Sequence, residues 1–159
     1  MGLEIERRFF VINDGWQPLV QLSEPLQQGY LSQGSSGFTV RVRCSAEEAW
    51  LTLKAPTADV VVRHEFELAM PHGEAKQLLS LAPCKLQKIR HHLQLAGGDW
   101  VVDVFEEENA PLIIAEVELT AADSCINIPT WCGEEISDRG DLSNAALALN
   151  PWSRRTKTI

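Results

Sequence analysis

Seven stretches of this chain carry ionisable residues at every second position. Successive side chains of a β-strand point to opposite faces, so residues two apart share a face. By that rule Glu4, Glu6 and Arg8 share a face, as do Arg41 with Arg43, Arg63 with Glu65 and Glu67, Lys88 with Arg90, and Glu116 with Glu118. Lys54 lies beside Thr52, and Asp103 faces away from Val102 and Val104. A sheet with one solvated face explains any single strand of this kind. It explains seven together poorly, because cross-strand partners on a solvated face normally mix sign and charge with neutral polar residues. Here the signs come in blocks, with paired acids in some strands and paired bases in others.

The charges are unevenly shared out. These faces hold seven of the 22 acids and seven of the 14 lysines and arginines, so the remaining residues carry the whole net charge of −8. Two adjacent carboxylates oppose each other's ionisation. A hard divalent cation resolves that conflict, and Mg²⁺ is typically held by one or two carboxylates together with substrate phosphates. The guanidinium fork of arginine matches phosphate, and lysine adds a compact charge. Metal-binding acids opposite phosphate-binding bases imply a metal-complexed polyphosphate. A closed barrel is the natural container for it.

Several classes are excluded. A chain of 159 residues fits one domain, here taken as residues 1–159. No apolar run approaches the roughly 18 to 20 residues that cross a membrane, and the N-terminus shows no apolar signal segment. Cys44, Cys84, Cys125 and Cys132 form no Cys-x-x-Cys pair, which argues against a zinc site or a disulfide framework and for a reduced, cytoplasmic setting. The net negative charge argues against a nucleic-acid surface. Monomer and homodimer both stay open.

Period-two segments predict strands over 3–11, 38–44, 50–54, 61–68, 86–95, 100–105 and 112–119, with a short one at 28–32. Turns fall at Asn13-Asp14-Gly15, Ser32 to Gly37, Pro71-His72-Gly73, Ala96 to Asp99 and Gly133. Helices are expected at 73–81, at 16–22 with Pro18 in the first turn, and at 143–149 before Asn150-Pro151. The fold class is α+β, mainly antiparallel β. His64, His91 and His92 are expected to be structural or superficial, Trp16, Trp131 and Trp152 to pack helices and termini, and Arg154 to Lys157 to form a solvated tail.

Glu4-Ile5-Glu6-Arg7-Arg8 resembles the N-terminal Glu-x-Glu-x-Lys strand of the CYTH superfamily, the triphosphate tunnel metalloenzymes. The resemblance continues through Gln28 to Ser32, Val40 to Arg43, Leu51 to Lys54, Arg63 to Glu67, Lys88 to Arg90, Val102 to Phe105, Ala115 to Leu119 and Trp131 to Glu135, in the order of the short bacterial members. It implies an eight-stranded closed antiparallel tunnel with a few flanking helices. The activity it implies is metal-dependent hydrolysis of inorganic tripolyphosphate to pyrophosphate and phosphate, with Mg²⁺ or Mn²⁺. Relatives act as thiamine triphosphatases or class IV-type adenylate cyclases. A non-catalytic polyphosphate- or nucleotide-binding module and a plain structural barrel are the alternatives from other classes.

Carried over residue by residue, Glu4, Glu6, Asp103, Glu116 and Glu118 are the implied metal ligands. Arg8, Arg41, Arg43, Lys54, Arg63, Lys88 and Arg90 are the implied phosphate ligands. Glu116, Glu118 and Arg8 are the implied catalytic groups, and Glu65 and Glu67 support them. Two positions depart from the pattern. Arg8 replaces the motif lysine, and Asp141-Leu142-Ser143-Asn144 is the best match to an Arg-Tyr-x-Asn stretch, with Arg139 the candidate substitute for its arginine.

Overall fold

A computed structural model describes residues 2–34 and 37–155. The strands are β1 (Leu3–Val11), β2 (Val20–Gln33), β3 (Thr39–Cys44), β4 (Ala49–Pro56), β5 (Val62–Ala69), β6 (Cys84–Leu93), β7 (Asp99–Phe105), β8 (Ile113–Glu118) and β9 (Cys132–Glu135). The helices are α1 (His72–Leu81) and α2 (Asn144–Leu149). Every pairing is antiparallel, in the order β5-β4-β3-β2-β6-β7-β8-β1. The circle closes where β1 meets β5, with Glu4 opposite Arg63. The result is the expected eight-stranded closed barrel.

Its polarity is inverted relative to a small filled barrel. The charged face points inward, so the apolar core must form outside, against segments wrapped around the wall. Three coverings do this. Trp16, Trp131 and Leu119 seal Phe9, Trp100, Val102 and Val117, with Trp100 edge-on to Trp131 at 5.8 Å between centroids. The C-terminal part brings Ile136, Leu142 and Leu147 onto Leu86, Phe105 and Ile114. Helix α1 lays Ala75 and Leu79 on Val42, Cys44 and Ala49. Gly29 permits that last contact, because a Cβ there would stand 2.7 Å from the Ala82 Cβ and 3.0 Å from Leu79 Cδ1.

Three elements differ from expectation. The stretch 16–22 is one 3₁₀ turn at Gln17–Leu19, after which the chain is already extended. Strand β2 therefore runs for 14 residues rather than five. Its first half pairs only with β6, while pairing with β3 begins at Gln27, so Pro25 sits on an edge where no ladder donor is missed. Strand β9 was not expected. It forms because β5 leaves β1 after Ile5, which frees the far half of that edge for Phe9 and Val11 to pair with β9. The forked pair of Arg7 with Glu135, at 2.8 and 2.7 Å, fastens β9 from outside. No helix is long and apolar enough to cross a membrane among the described residues.

Candidate active site

Strand alternation carries all fourteen lumenal charges to the inside of the barrel. They sort into two cavities that meet at Glu6. One, of about 320 Å³, is lined by Arg8, Arg41, Lys54 and Arg63, with Tyr30, Thr39, Gly140, Ser143 and Asn144 among its neutral walls. The other, of about 400 Å³, is lined by Glu4, Asp99, Glu116 and Glu118, with Arg90 and His92. Glu6 lines both.

Most of the charges pair across the lumen. Lys54 Nζ donates to Glu4 at 2.6 Å and stands 2.8 Å from Glu65 Oε2, close enough for attraction but not aligned for a hydrogen bond. Arg41 donates to Thr52 Oγ1 at 3.1 Å and lies 3.7 Å from Glu67 at the exposed rim. Asp103, fully buried, receives a fork from Arg90 at 2.8 Å in both arms and a bond from Lys88 at 2.6 Å. Lys88 also donates to Asn144 Oδ1 at 3.1 Å, which ties α2 to the barrel. Glu116 accepts from Arg8 at 3.3 Å and from Arg90 at 3.1 Å.

What stays unpaired is sorted by sign. Among the described residues Arg63 and Arg43 have no carboxylate within ion-pair distance, and the Arg43 Nε donates instead to the buried, neutral Gln28 at 3.0 Å. Arg8 Nη2 and Arg41 Nε are buried N–H groups with no partner. Such orphaned donors are costly unless an acceptor meets them. On the acidic side the Glu6 carboxyl has no hydrogen-bond or ion-pair partner among the described residues. Burial, then Glu116 and Glu4, push its pKa up to about 7 against the weaker pull of Lys54 and Arg8.

The other acids are set differently. Burial would raise Glu116, and Asp103 adds to that, but Arg90, Lys88 and Arg8 outweigh both and leave it at about 2. Burial would also raise Asp103, yet Arg90 and Lys88 hold it far below the carboxylate range. Glu118, near the cavity mouth, is raised by burial and by Glu4, Glu65, Asp99 and Glu6. Burial lowers Arg43 to about 10, with Arg41 and Arg90 adding to the effect.

Among the described residues no three acidic, histidine or cysteine side chains stand close enough together to enclose a metal by themselves. The reason is visible in the pairing: Glu4 and Glu116 lean toward bases, and both Asp103 oxygens are engaged. The donor set still fits a hard dication. Four carboxylates share one cavity with Asp99, and two of them are raised by mutual repulsion, a cost that a bound cation relieves.

Several lining residues escaped the sequence reading. Asp99 was read as a turn residue, though its parity with Asp103 placed it on the inner face. His92 shares parity with Lys88 and Arg90. It lines the acidic cavity and pairs with Glu24 at 2.9 Å, so the superficial role expected for it is incomplete. Gln28, Tyr30, Thr52 and Asn144 are neutral and gave no charge signal. Arg139 does not turn inward; it forks onto the exposed Asp141 at 2.9 Å in both arms. Of the expected solvated tail, Arg154 bonds Glu108 and Arg155 bonds Asp141 and the Asn150 carbonyl. Thr156 and Lys157 lie outside the described residues.

A family model described as the CYTH domain matches residues 2–144. An inorganic triphosphatase of Acetivibrio thermocellus is 34% identical over 154 residues, covering 96% of this chain and 97% of the relative. An inorganic triphosphatase of Nitrosomonas europaea is 32% identical over 156 residues, covering 92% and 97%. A solved inorganic triphosphatase superposes with a TM-score of 0.64 at 30% identity, covering 92% of this chain and 94% of that one.

Proposed function

Because the chain belongs to the CYTH domain family, we propose that it hydrolyses inorganic tripolyphosphate to pyrophosphate and phosphate in a metal-dependent reaction. The observation that carries this reading is the separation of unsatisfied charge inside one lumen. Free guanidinium donors line one cavity, and repelling carboxylates line the other. A triphosphate with a bound dication is the complement of that arrangement. The lining of the basic cavity supports an inorganic substrate over a nucleotide, since its one aromatic residue, Tyr30, is 4% exposed and offers no face for a base.

In this reading Arg8, Arg41, Arg63 and Lys54 bind the phosphate oxygens, and their unpaired donors bond the charge that develops on the transferring group. Arg43, Lys88 and Arg90 supply positive potential from behind. Glu4, Glu6, Glu116 and Glu118 would hold Mg²⁺ or Mn²⁺, with Asp103 keeping Lys88 and Arg90 in place. When bound, the metal would neutralise charge on the bridging oxygens as a Lewis acid. Glu116, at about 2, is a poor proton acceptor, whereas the raised Glu118 is a better one. Orientation of the attacking water and acceptance of its proton therefore fall to Glu118. Positioning and electrostatics carry most of the catalysis in phosphoryl transfer.

Glu4→Gln tests the metal assignment. The variant should keep its far-ultraviolet circular dichroism and lose metal-dependent release of phosphate from tripolyphosphate. Full activity would remove Glu4 from the metal site.

A further inference from the structure

An inverted barrel must bury its outer wall, and this one buries only part of it. Three segments cover the outsides of β6, β7, β8 and most of β1, and α1 covers β2 and part of β3. The outward face of β4 and β5, with the start of β1, has no such covering among the described residues. Its side chains are apolar and form cross-strand rows: Val40 beside Leu53 beside Phe66, and Leu51 beside Leu68. Leu3 extends the patch across the β1–β5 junction. Leu3, Phe66 and Leu68 are 54, 56 and 57% exposed.

We propose that this wall is the interface of a homodimer, in which a second copy of the chain packs its own β4–β5 face against the first. The charge pattern favours a second copy over another partner. All the acids and bases of β4 and β5 point into the lumen, and His64 is the one ionisable side chain at their outward positions apart from the strand ends. A neutral face offers nothing to a cationic partner, whereas the remaining surface carries the net charge of −8 and opposes self-association anywhere else. Two such faces stack sheet on sheet about 10 Å apart, the geometry by which sandwiches bury apolar walls, and a two-fold axis makes one patch complementary to itself. With roughly 150–250 Å² for each large side chain, the exposed portions sum to the order of 500 Å² per copy. Exposed apolar patches of this size mark interaction surfaces, and the patch is most of the roughly 800 Å² per partner of a standard interface.

Sedimentation velocity and light scattering of the full chain, from roughly 1 to 100 μM, test the proposal. The wild type should behave as twice the 17.7 kDa chain mass. Leu68→Glu should give monomer. The double substitution Phe66→Ala with Leu68→Ala, which removes side chains already more than half exposed, should weaken dimerisation at least ten-fold while leaving circular dichroism and phosphate release in place. A wild type that is monomeric throughout the range overturns the proposal. So does a dimer that survives both variants, and so does a monomer that floats with phosphatidylcholine vesicles, since a lipid surface would then be what the patch meets.

Discussion

Replacing Glu6 by glutamine should stabilise the metal-free protein above neutral pH while destroying its metal-dependent function. The Glu6 carboxyl titrates at about 7 in the fold instead of its ordinary 4.5, because burial and the neighbouring Glu116 and Glu4 disfavour its charge. A raised folded-state pKa means that the native chain holds the proton more tightly than the unfolded chain. The stability contributed is then present below pH 4.5 and is lost as pH rises to 7. At 1.36 kcal/mol per pH unit, the cost of ionising Glu6 reaches about 3 kcal/mol at pH 8. Glutamine keeps the shape and stays neutral, so the variant should match the wild type near pH 4.5 and exceed it by about 2–3 kcal/mol at pH 8. For a chain of this length that is roughly 5–10 °C in Tm. The assay is thermal unfolding of both proteins in chelator at the two pH values. Added Mg²⁺ or Mn²⁺ should stabilise the wild type and leave the variant unmoved. A variant less stable than the wild type at pH 8, or a difference independent of pH, would refute the reasoning.

Asp103→Asn leaves Lys88 and Arg90 without their buried anion and should cost about 3–5 kcal/mol in urea unfolding at pH 7. That loss should shrink as pH falls below 4, because Asp103 is held far below its ordinary range and its contribution fades on acidification. Arg63 has no carboxylate partner, so Arg63→Ala should change stability by less than about 0.5 kcal/mol. It should raise KM for tripolyphosphate roughly ten- to a hundred-fold, the worth of a charge-assisted hydrogen bond. Gln28→Leu removes the one hydrogen-bond acceptor that orients Arg43 and should lower kcat/KM about ten-fold with a stability loss of about 1–3 kcal/mol.

The barrel was legible in the sequence because its function imposes period two on charge. Glu4 to Arg8, Arg63 to Glu67 and Glu116 to Glu118 carry polar residues at lumenal positions and apolar ones between, and the strands follow. Where the lumen is lined by neutral groups the signal fades. The first half of β2 carries Ser23, Glu24 and Pro25, alternates poorly and looks like a loop, although β6 pairs with all of it. Strand β9 has four residues and exists because a tertiary edge is free, which no local pattern encodes. The candidate site was legible in residue type but not in pairing. Parity brought Lys88 and Asp103 to one face, yet only the register showed both Asp103 oxygens engaged and Glu6 left alone.

The most direct test is the fate of tripolyphosphate followed by phosphorus NMR, with Mg²⁺, with Mn²⁺ and with chelator, beside ATP, thiamine triphosphate and pyrophosphate. A lumen built for a metal-bound inorganic triphosphate predicts equimolar pyrophosphate and phosphate from tripolyphosphate with metal only, and intact pyrophosphate. Equal rates in chelator, faster cleavage of ATP, or no cleavage at all would contradict it.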